Sequence, residues 1–548
     1  MSMRALGAAL AIGLGLAGSA VAPATAADDG SVVRLALAVP IVVPASADEF
    51  LDAETLGLYT SQLGLLTRQL DDVVNRPVAL GVDPRIIASI RILGSSAPPS
   101  ALAWLERLDA ATNPTFSLGW ADADVTLQTQ SGAGSVLQHE TFDFAIDPAL
   151  FAPAPGTASP QPTPTAGDDS LPALPTSDGI LAWPYTLSGI AWPRDDTAIA
   201  ADLPKIAASG YTTTILSSRN VARDASAGPA VQVDGTGVLV SDSAVSAALR
   251  SAASAQLPAE WEAAVRELSS AISAGARVQP GSATLFATFD RAILPLGNRL
   301  ADTLSALAAD PSVELVPLAQ ALGADPAAAT VIDEPQPADR VSRAGQMIEG
   351  ANAERQFASV ANDPAAITSD RRLELLTLLS AEWDDDLEGW PTAADAFTTA
   401  SIDLRNSVHL VTSSNFLLVA DNDQYLPITV NNALPQAVTV YITVHSQSSL
   451  LVIDENRVKL EIEAGAQAKK NVPVHSLSNG VVEVDVSLTS STGVAIGAPI
   501  SSEVNVQAGW ETPIVVAVAV LVVVVFGVGV VRTVLRRRKA ARLGTDGD

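Results

Sequence analysis

An uncharged apolar run near the C-terminus is the feature that most limits how this chain can fold. It covers residues 514–531 and reads IVVAVAVLVVVVFGVGVV, directly after Trp510 and the linking residues ETP. As a helix it would extend about 27 Å, close to the thickness of the hydrocarbon core of a bilayer. The residues that follow it are rich in positive charge: Arg532, Arg536, Arg537, Arg538, Lys539 and Arg542. Positive charge is retained in the cytoplasm, so the run predicts a single-pass type I protein of the cell membrane, with a cytoplasmic C-terminus.

The N-terminus carries the complementary signal for export. Arg4 supplies a positive charge, residues 5–21 are apolar or small, and Ala24-Thr25-Ala26 has the small-x-small form of a cleavage site. This order is typical of a signal peptide, which we predict to be cleaved after Ala26. A retained membrane anchor is the alternative interpretation of the same stretch. With cleavage, the bulk of the chain lies outside the cell.

Charge and cysteine content exclude several kinds of partner and site. The formal net charge is −28, whereas nucleic-acid affinity comes from Lys and Arg that neutralise phosphates. No nucleic-acid partner is therefore expected. The chain has no cysteine, which excludes disulfides, zinc–thiolate sites and a cysteine nucleophile.

Apolar runs alternate with helical patterns over the first part of the exported region. Continuous apolar runs are typical of parallel strands that are buried on both faces, and alternation with helices predicts right-handed crossovers. We therefore predict an α/β fold, a (β/α)7–8 barrel-like domain over residues 31–324. An open doubly wound sheet is the rival, disfavoured because no Gly-rich dinucleotide loop follows the first strand. The predicted strands are 34–44, 77–84, 115–124, 179–186, 211–218, 237–245, 283–291 and 313–322.

The remaining segments differ in composition from the barrel-like region. Residues 152–179 are rich in Pro, Thr and Ser and predict an exposed insertion without a core. Residues 325–405 predict a helical extension, and period-two alternation over 406–508 predicts an antiparallel β-sandwich stalk. The predicted order ends with a transmembrane helix at 514–531 and a basic cytoplasmic tail at 532–548.

The ends of the predicted strands hold the candidate ligand-binding residues. Active sites of such barrels lie at the C-terminal ends of the strands, and aromatic rings with carboxylates nearby are typical of sugar sites. The alternative is structural, because each aspartate stands where a helix N-cap or turn would need it. Trp183 and Trp192 are equally consistent with packing, and a local ion pair would explain Asp290 beside Arg291. The candidates are Asp83, Trp120, Asp122, Asp124, Trp183, Tyr185 and Asp242.

Motifs for metal-dependent or nucleophilic catalysis are missing from the sequence. Of four histidines, only His139 falls in the predicted barrel, so the His pair of a polysaccharide-deacetylase metal site is absent. No D-x-[DN]-x-[DN]-G loop and no G-x-S-x-G elbow occur. An all-carboxylate Ca²⁺ or Mg²⁺ site stays open. We accordingly assign no catalytic residue, no metal and no cofactor.

Several short segments follow one another in a recognisable order. They are VDP (82–84), WLERL (104–108), GWADADV (119–125), ILAWP (180–184), SGYTTTILSS (209–218), VLVSD (238–242), PITVNN (427–432) and RRRK (536–539). This order resembles an actinobacterial family of exported, membrane-anchored envelope proteins of unknown function, sometimes labelled glycoproteins. The resemblance implies a degenerate polysaccharide-deacetylase- or glycosidase-like barrel and a cell-envelope role. Members are typically encoded near the flippase that exports the lipid-linked cell-wall precursor, and the family has no established catalytic residues. Longer members carry an extra β-domain before the barrel, whereas here the predicted signal peptide runs almost directly into the first strand.

Taken together, these observations predict a non-catalytic cell-envelope protein. Its outward-facing barrel and sandwich would bind or scaffold envelope components, with cell-wall glycan or envelope membrane proteins as partners beside the bilayer itself. The resemblance further implies a link to export of the cell-wall precursor. Two alternatives stay open. One is a glycan-active hydrolase that uses lip carboxylates, and the other is a structural subunit of a membrane complex.

Overall fold

The computed structural model describes most of the chain outside its N-terminus. The described residues are 32–151, 174–279, 283–291, 297–386, 388–411, 416–419, 424–507 and 511–542. The predicted signal peptide at 1–26 lies outside them, as does 152–173 of the predicted insertion.

The first eleven strands and eleven helices largely alternate, as the apolar runs predict, except that β5 to β8 follow one another with no helix between them. The strands are β1 (Val33–Ile41), β2 (Ala79–Val82), β3 (Thr115–Ser117), β4 (Ile190–Ala191), β5 (Thr213–Ser217), β6 (Val221–Arg223), β7 (Ala230–Val233), β8 (Thr236–Ser241), β9 (Thr284–Thr288), β10 (Val313–Val316) and β11 (Ala327–Val331). The helices are α1 (Ala53–Tyr59), α2 (Leu65–Val73), α3 (Pro84–Ile92), α4 (Pro99–Asp109), α5 (Val125–Gln130), α6 (Ser177–Leu181), α7 (Asp202–Ala208), α8 (Ser243–Ser254), α9 (Pro258–Arg277), α10 (Arg299–Ala309) and α11 (Leu318–Leu322).

Two sheets curve around one apolar centre. In the first, β1 pairs in parallel with β2, β9 and β10, and β2 pairs with β3. In the second, β4, β5 and β8 run parallel, and β7, β11 and β6 extend the sheet. The sheets meet on both sides: Asp242 N, at the end of β8, donates to Phe286 O of β9 (2.7 Å), and Thr186 N, just before β4, donates to Thr115 O of β3 (3.1 Å). The α/β part is therefore barrel-like, and the number of barrel strands, seven or eight, stays a prediction.

The residues of β1 explain why its sequence is apolar without a break. Leu35 and Leu37 pack in a cluster with the surrounding helices. The alternate residues Ala36 and Ala38 belong to a second cluster with Phe286 from β9. Because side chains of a strand alternate between its faces, both faces of β1 are buried and both must be apolar.

Three predicted elements in this region are wrong in detail. Residues 179–186 form no strand: Thr176 caps α6 by accepting from Gly179 N (3.1 Å), and the true fourth strand is the two-residue β4. The run 313–322 is a strand only to Val316 and continues as α11. The segment 325–405 was predicted to be helical, yet it opens with β11, which pairs with β6 and β7.

The helical extension proper consists of α12 (Ala338–Phe357), α13 (Ala365–Leu378) and α14 (Gly389–Asn406). These helices pack on one another and on the segment that follows β3. Leu373 and Leu376 of α13 share an apolar cluster with Trp120, Leu127 and other residues beyond the end of β3. The extension therefore lies over one part of the barrel end at which the strands finish.

The next nine strands form two facing sheets. They are β12 (Val408–Leu410), β13 (Phe416–Val419), β14 (Tyr425–Asn432), β15 (Val438–Ser446), β16 (Leu451–Ile453), β17 (Arg457–Ile462), β18 (Gln467–Ser476), β19 (Gly480–Thr489) and β20 (Ala495–Gln507). Their orders are β12-β14-β18-β16 and β13-β20-β19-β15-β17, antiparallel except for the β13–β20 pair. Alternate residues such as Val430 and Val440 fill the space between the sheets, which is the period-two pattern of a sandwich.

The last described element is α15 (Glu511–Arg542). Within it, Ile514–Lys539 is long and apolar enough to cross a membrane, with a mean hydropathy of 3.3 in its most apolar window. That window is not buried against any other part of the described chain. An isolated apolar helix of this length is typical of a membrane span.

Candidate functional site

The barrel lip is the set of residues that follow the strand ends, and Asp83 is its first carboxylate. Asp83 follows β2 directly and is the N-cap of α3, where its Oδ1 accepts from Arg85 N (2.8 Å). The same oxygen accepts from Ala121 N (2.9 Å), in the segment after β3. The residue is 2% exposed, and burial raises the pKa of the carboxyl to about 6. The predicted capping role of Asp83 is confirmed, and the carboxylate also ties two lip segments together.

Asp124 joins the lip to the residues that lead into the helical extension. It is the N-cap of α5, with Oδ1 accepting from Thr126 N (3.0 Å) and Thr126 Oγ1 (2.9 Å). Its Oδ2 accepts from Gln336 Nε2 (2.5 Å), just before α12. Its own backbone N–H donates to Leu379 O (2.8 Å), just after α13. Both carboxylate oxygens therefore have partners within the chain.

Asp122 was predicted to be a cap or turn residue, and its side chain has a different role. Ala121 and Asp122 both adopt left-handed backbone conformations (φ 53° each), which cost energy in residues other than glycine. This conformation accompanies an ion pair between Asp122 Oδ2 and Arg291 Nε (2.6 Å), with both side chains less than a tenth exposed. Burial raises the pKa of Asp122 to about 7, against the opposing effect of Arg291.

Arg291 is the residue that sequence reasoning missed at this lip. Its Nη1 donates to Pro193 O (3.0 Å), its Nη2 donates to Trp192 O, and the guanidinium lies 4.4 Å from the centre of the Trp192 ring. An ion pair between Asp290 and Arg291 was expected, but the Arg291 guanidinium pairs with Asp122 instead. Asp290 Oδ1 accepts from the backbone N–H of Arg291 (2.7 Å). Arg291 thus joins the ends of three strands, and its place shortly after the end of β9 was the available signal.

The aromatic candidates of the lip fall into two environments. Trp120 is buried, with Phe50 edge-on at 5.4 Å and Phe142 tilted at 5.1 Å between ring centres. Such packing is typical of an apolar core and leaves no open face for a sugar ring. Trp183 is half-buried, and the guanidinium of Arg91 lies 5.8 Å from its ring centre.

Asp242 lies on a different part of the lip. It is the N-cap of α8 and accepts at Oδ1 from Ala244 N (3.0 Å) and Val245 N (3.1 Å). Its predicted capping role is confirmed. The structure therefore brings Asp83, Asp122 and Asp124 together around the segment after β3, and leaves Asp242 at its own helix.

Tyr185 lines a cleft of about 340 Å³ at the join between β3 and β4. We call this cavity the seam cleft; Phe116, Ser117, Leu118, Gln138, Leu187, Ser188, Gly189, Ile190, Ser209, Gly210 and Tyr211 complete its lining. Burial raises the pKa of Tyr185 to about 12, so its hydroxyl is a neutral donor at physiological pH. The lining has two tyrosines, several hydroxyl and amide groups, and no charged side chain. Sequence reasoning found Tyr185 but missed Tyr211, which lies in the turn before β5.

Among the described residues, the possible metal ligands are His, Asp and Glu side chains. The described residues contain no group of three or more of these side chains arranged to hold a metal ion. At the lip, the three clustered carboxylates face backbone amides, Gln336 and Arg291. A cation would have to displace these partners before it could bind.

These features define a class: a barrel-like α/β protein with a β-sandwich and a C-terminal helix apolar enough to cross a membrane. Within that class, the chain belongs to a family of unknown function, DUF6049, which matches residues 17–542. Family membership thus confirms the coarser part of the resemblance. The actinobacterial source stays a prediction. A comparison with curated proteins gave no match.

Solved structures of low similarity include an α-amylase and a 4-α-glucanotransferase. One is the α-amylase AmyC from Thermotoga maritima, at TM-score 0.43 and 9% identity, covering 68% of this chain and 93% of that chain. Another is the 4-α-glucanotransferase from Thermococcus litoralis, at TM-score 0.40 and 8% identity, covering 83% of this chain and 87% of that chain. Scores this low carry no conclusion about activity or substrate.

Proposed function

We propose that this protein is a non-catalytic component of the cell envelope, anchored by α15, whose outward-facing part binds a neutral saccharide in the seam cleft. The observation that carries the proposal is that the three clustered carboxylates of the lip are buried and bound within the chain. Asp83, Asp122 and Asp124 are each 2–3% exposed, and each has its partners within the chain.

Hydrolysis of a glycosidic bond would need a different lip. Two carboxyl groups must flank the scissile bond, about 5–10 Å apart, with a sugar ring between them. Here Asp83 and Asp124 bind backbone amides of the segments they cap. Gln336, just before α12, and Leu379, just after α13, bind Asp124 from the other side. A substrate would have to displace part of the core to reach the lip.

The seam cleft has the composition of a site for a neutral ring. Its volume is within the usual range for small-ligand sites, about 300–1,000 Å³. Tyr185 and Tyr211 offer aromatic faces and hydroxyl donors, and Ser117 and Gln138 add polar groups. A charged ligand would find no counter-charge in this lining. The chain as a whole is strongly acidic and repels anionic polymers.

The charges at the C-terminal end of α15 support the orientation that we propose. Arg532 follows the apolar stretch 514–531, and the basic residues 536–539 lie one turn further along the same helix, which favours a cytoplasmic C-terminus. Export then leaves the barrel-like part and the sandwich outside. Cell-wall glycan and envelope membrane proteins are the partners that we propose for them.

Binding of an N-acetylglucosamine oligomer to the detergent-solubilised full-length chain tests the cleft. We expect Tyr185→Ala and Tyr211→Ala each to weaken affinity about tenfold, the equivalent of about 1.4 kcal/mol. Tyr441→Ala, in the sandwich, is the matched control and should leave affinity unchanged. Equal affinity in both cleft variants, or loss of binding in Asp122→Asn, would contradict the proposal.

The hydrolase alternative has one observation in its favour. The raised pKa values of Asp83 and Asp122 are typical of carboxyl groups in active sites. Burial in a structural cluster produces the same shifts, so access to substrate decides between the two functions.

A further inference from the structure

The strand directions bring several chain segments to one end of the sandwich. β15 ends and β16 begins there, because Ser446 pairs with Val484 and Leu451 pairs with Ser476. β19 begins and β20 ends there as well, since Gly480 pairs with Val506. We call this end the membrane-proximal pole: residues 446–452, residues 475–481 and Tyr425, the first residue of β14.

The opposite end of the sandwich meets the helical extension. Val438, at the start of β15, forms a bridge with Ala361. Thr492 Oγ1 donates to Ser359 Oγ (3.2 Å), beside the end of α12. The sandwich therefore separates the helical extension from the membrane-proximal pole.

The membrane-proximal pole lies close to the start of the membrane helix. β20 ends at Gln507 and α15 begins at Glu511. Consecutive Cα atoms are about 3.8 Å apart, so these two residues are separated by at most about 15 Å. Wherever α15 enters the bilayer, the pole is the nearest part of the sandwich.

Apolar side chains are exposed at this pole. Val452, Leu477 and Val481 are 43%, 58% and 63% exposed, and Tyr425 is 46% exposed. Leu477 N donates to Leu450 O, which holds two of the segments side by side (2.8 Å). Exposed aliphatic side chains with a tyrosine beside them are typical of surfaces at the membrane interface.

Few charged side chains lie at this pole: His475 Nδ1 contacts Asp454 Oδ2 (2.6 Å), two residues beyond the segment 446–452. The segments 446–452 and 475–481 contain no Asp, Glu, Lys or Arg, in a chain that has 60 acidic residues. The first acid on β19 is Glu483, two residues beyond the segment. Asp421 and Asp423 precede Tyr425 and lie outside the described residues. A surface with so few acidic side chains is repelled less by an anionic bilayer than the rest of the ectodomain would be.

We propose that the membrane-proximal pole inserts Leu477, Val481, Val452 and Tyr425 into the lipid surface around α15. The contact holds this end of the sandwich against the surface of the bilayer. It limits tilting of the barrel-like part relative to the membrane, because the sandwich then touches the bilayer as well as being tethered to it through α15. The inference rests on the proposed anchoring by α15 and is independent of any ligand in the seam cleft.

Single cysteines test the contact cleanly because the chain has no native cysteine. The variants Leu477→Cys and Val481→Cys carry an environment-sensitive nitrobenzoxadiazole label in full-length protein, reconstituted into phosphatidylcholine–phosphatidylglycerol vesicles. Ser491→Cys, exposed at the opposite end, is the matched control, and Val523→Cys in α15 reports on the span. Spin-labelled lipids then quench the labels that touch lipid.

The expected result is strong quenching at 477, 481 and 523, with at least a twofold difference from position 491. Quenching at 523 alone would overturn the lipid contact and leave the anchoring intact. An unquenched label at 523 would overturn the anchoring and this inference with it. A blue-shifted but unquenched label at 477 and 481 that depends on protein density would place another copy of the chain there, and would also overturn the proposal.

Discussion

The buried carboxyl of Asp122 predicts that stability falls as pH rises. Its pKa is raised from the ordinary 3.8 to about 7, and burial is the main cause. Between these two values the folded chain keeps a proton that the unfolded chain releases, so the free energy of unfolding decreases from about pH 4 to about pH 7. At ~1.4 kcal/mol per unit, a shift of roughly three units corresponds to at most about 4 kcal/mol.

Replacing this carboxyl by its neutral isostere should remove that loss. Asp122→Asn keeps the size of the side chain and leaves an oxygen beside Arg291, but it cannot ionise. We expect its stability to match wild type within about 1 kcal/mol near pH 4 and to exceed it by up to ~4 kcal/mol near pH 8. Urea unfolding of the detergent-solubilised chain, followed by tryptophan fluorescence, measures both values.

An exposed aspartate serves as the control of opposite sign. The pKa of Asp52 is lowered by a hydrogen bond from Thr55 N, so its contribution to stability is present at neutral pH and lost in acid. Asp52→Asn should therefore be less stable than wild type near pH 8. If Asp122→Asn behaved in the same way and lost about 3–5 kcal/mol, the cost of a buried charge left without its partner, our reasoning on Asp122 would be refuted.

Two further substitutions test the packing and capping at the lip. Trp120→Ala should lower the free energy of unfolding by about 3–5 kcal/mol, measured with denaturant, because it leaves a cavity beside Phe50 and Phe142. Trp120→Phe should recover much of that loss. A loss below about 1 kcal/mol in Trp120→Ala would mean that the ring is not part of the apolar core. Asp242→Ala should lower the free energy of unfolding by about 1 kcal/mol, because it removes the cap of α8. Asp242→Asn should retain most of the wild-type stability. Equal stability of wild type and both variants would argue against the cap.

Much of the α/β part was predictable because burial on both faces leaves a strong local pattern. The strands β2, β5 and β9 fall within predicted apolar runs, and β1 and β8 each begin one residue before theirs. The error at 179–186 arose because GILAWP is apolar, yet Thr176 and Ser177 start a helix there. The hairpin β7–β8 was missed although its turn, Asp234-Gly235, is a strong local signal with positive φ at both residues.

The lip was predictable residue by residue but not as an assembly. A capping position is a local property, which is why the capping of Asp83, Asp124 and Asp242 was within reach of the sequence. Gln336 and Arg291 are distant in the sequence from the aspartates that they bind, and no local pattern indicates those pairings. The cover that the helical extension provides over Trp120 is likewise a product of tertiary packing.

Release of saccharides from isolated cell-wall glycan by the purified full-length chain is the measurement that most directly tests a structural role for the lip carboxylates. Wild type, Asp83→Asn and Asp122→Asn would be compared with a buffer blank by mass spectrometry of the soluble products. We predict that all three proteins release no more product than the blank. Product release by wild type that disappears in either variant would contradict the account and make the lip an active site.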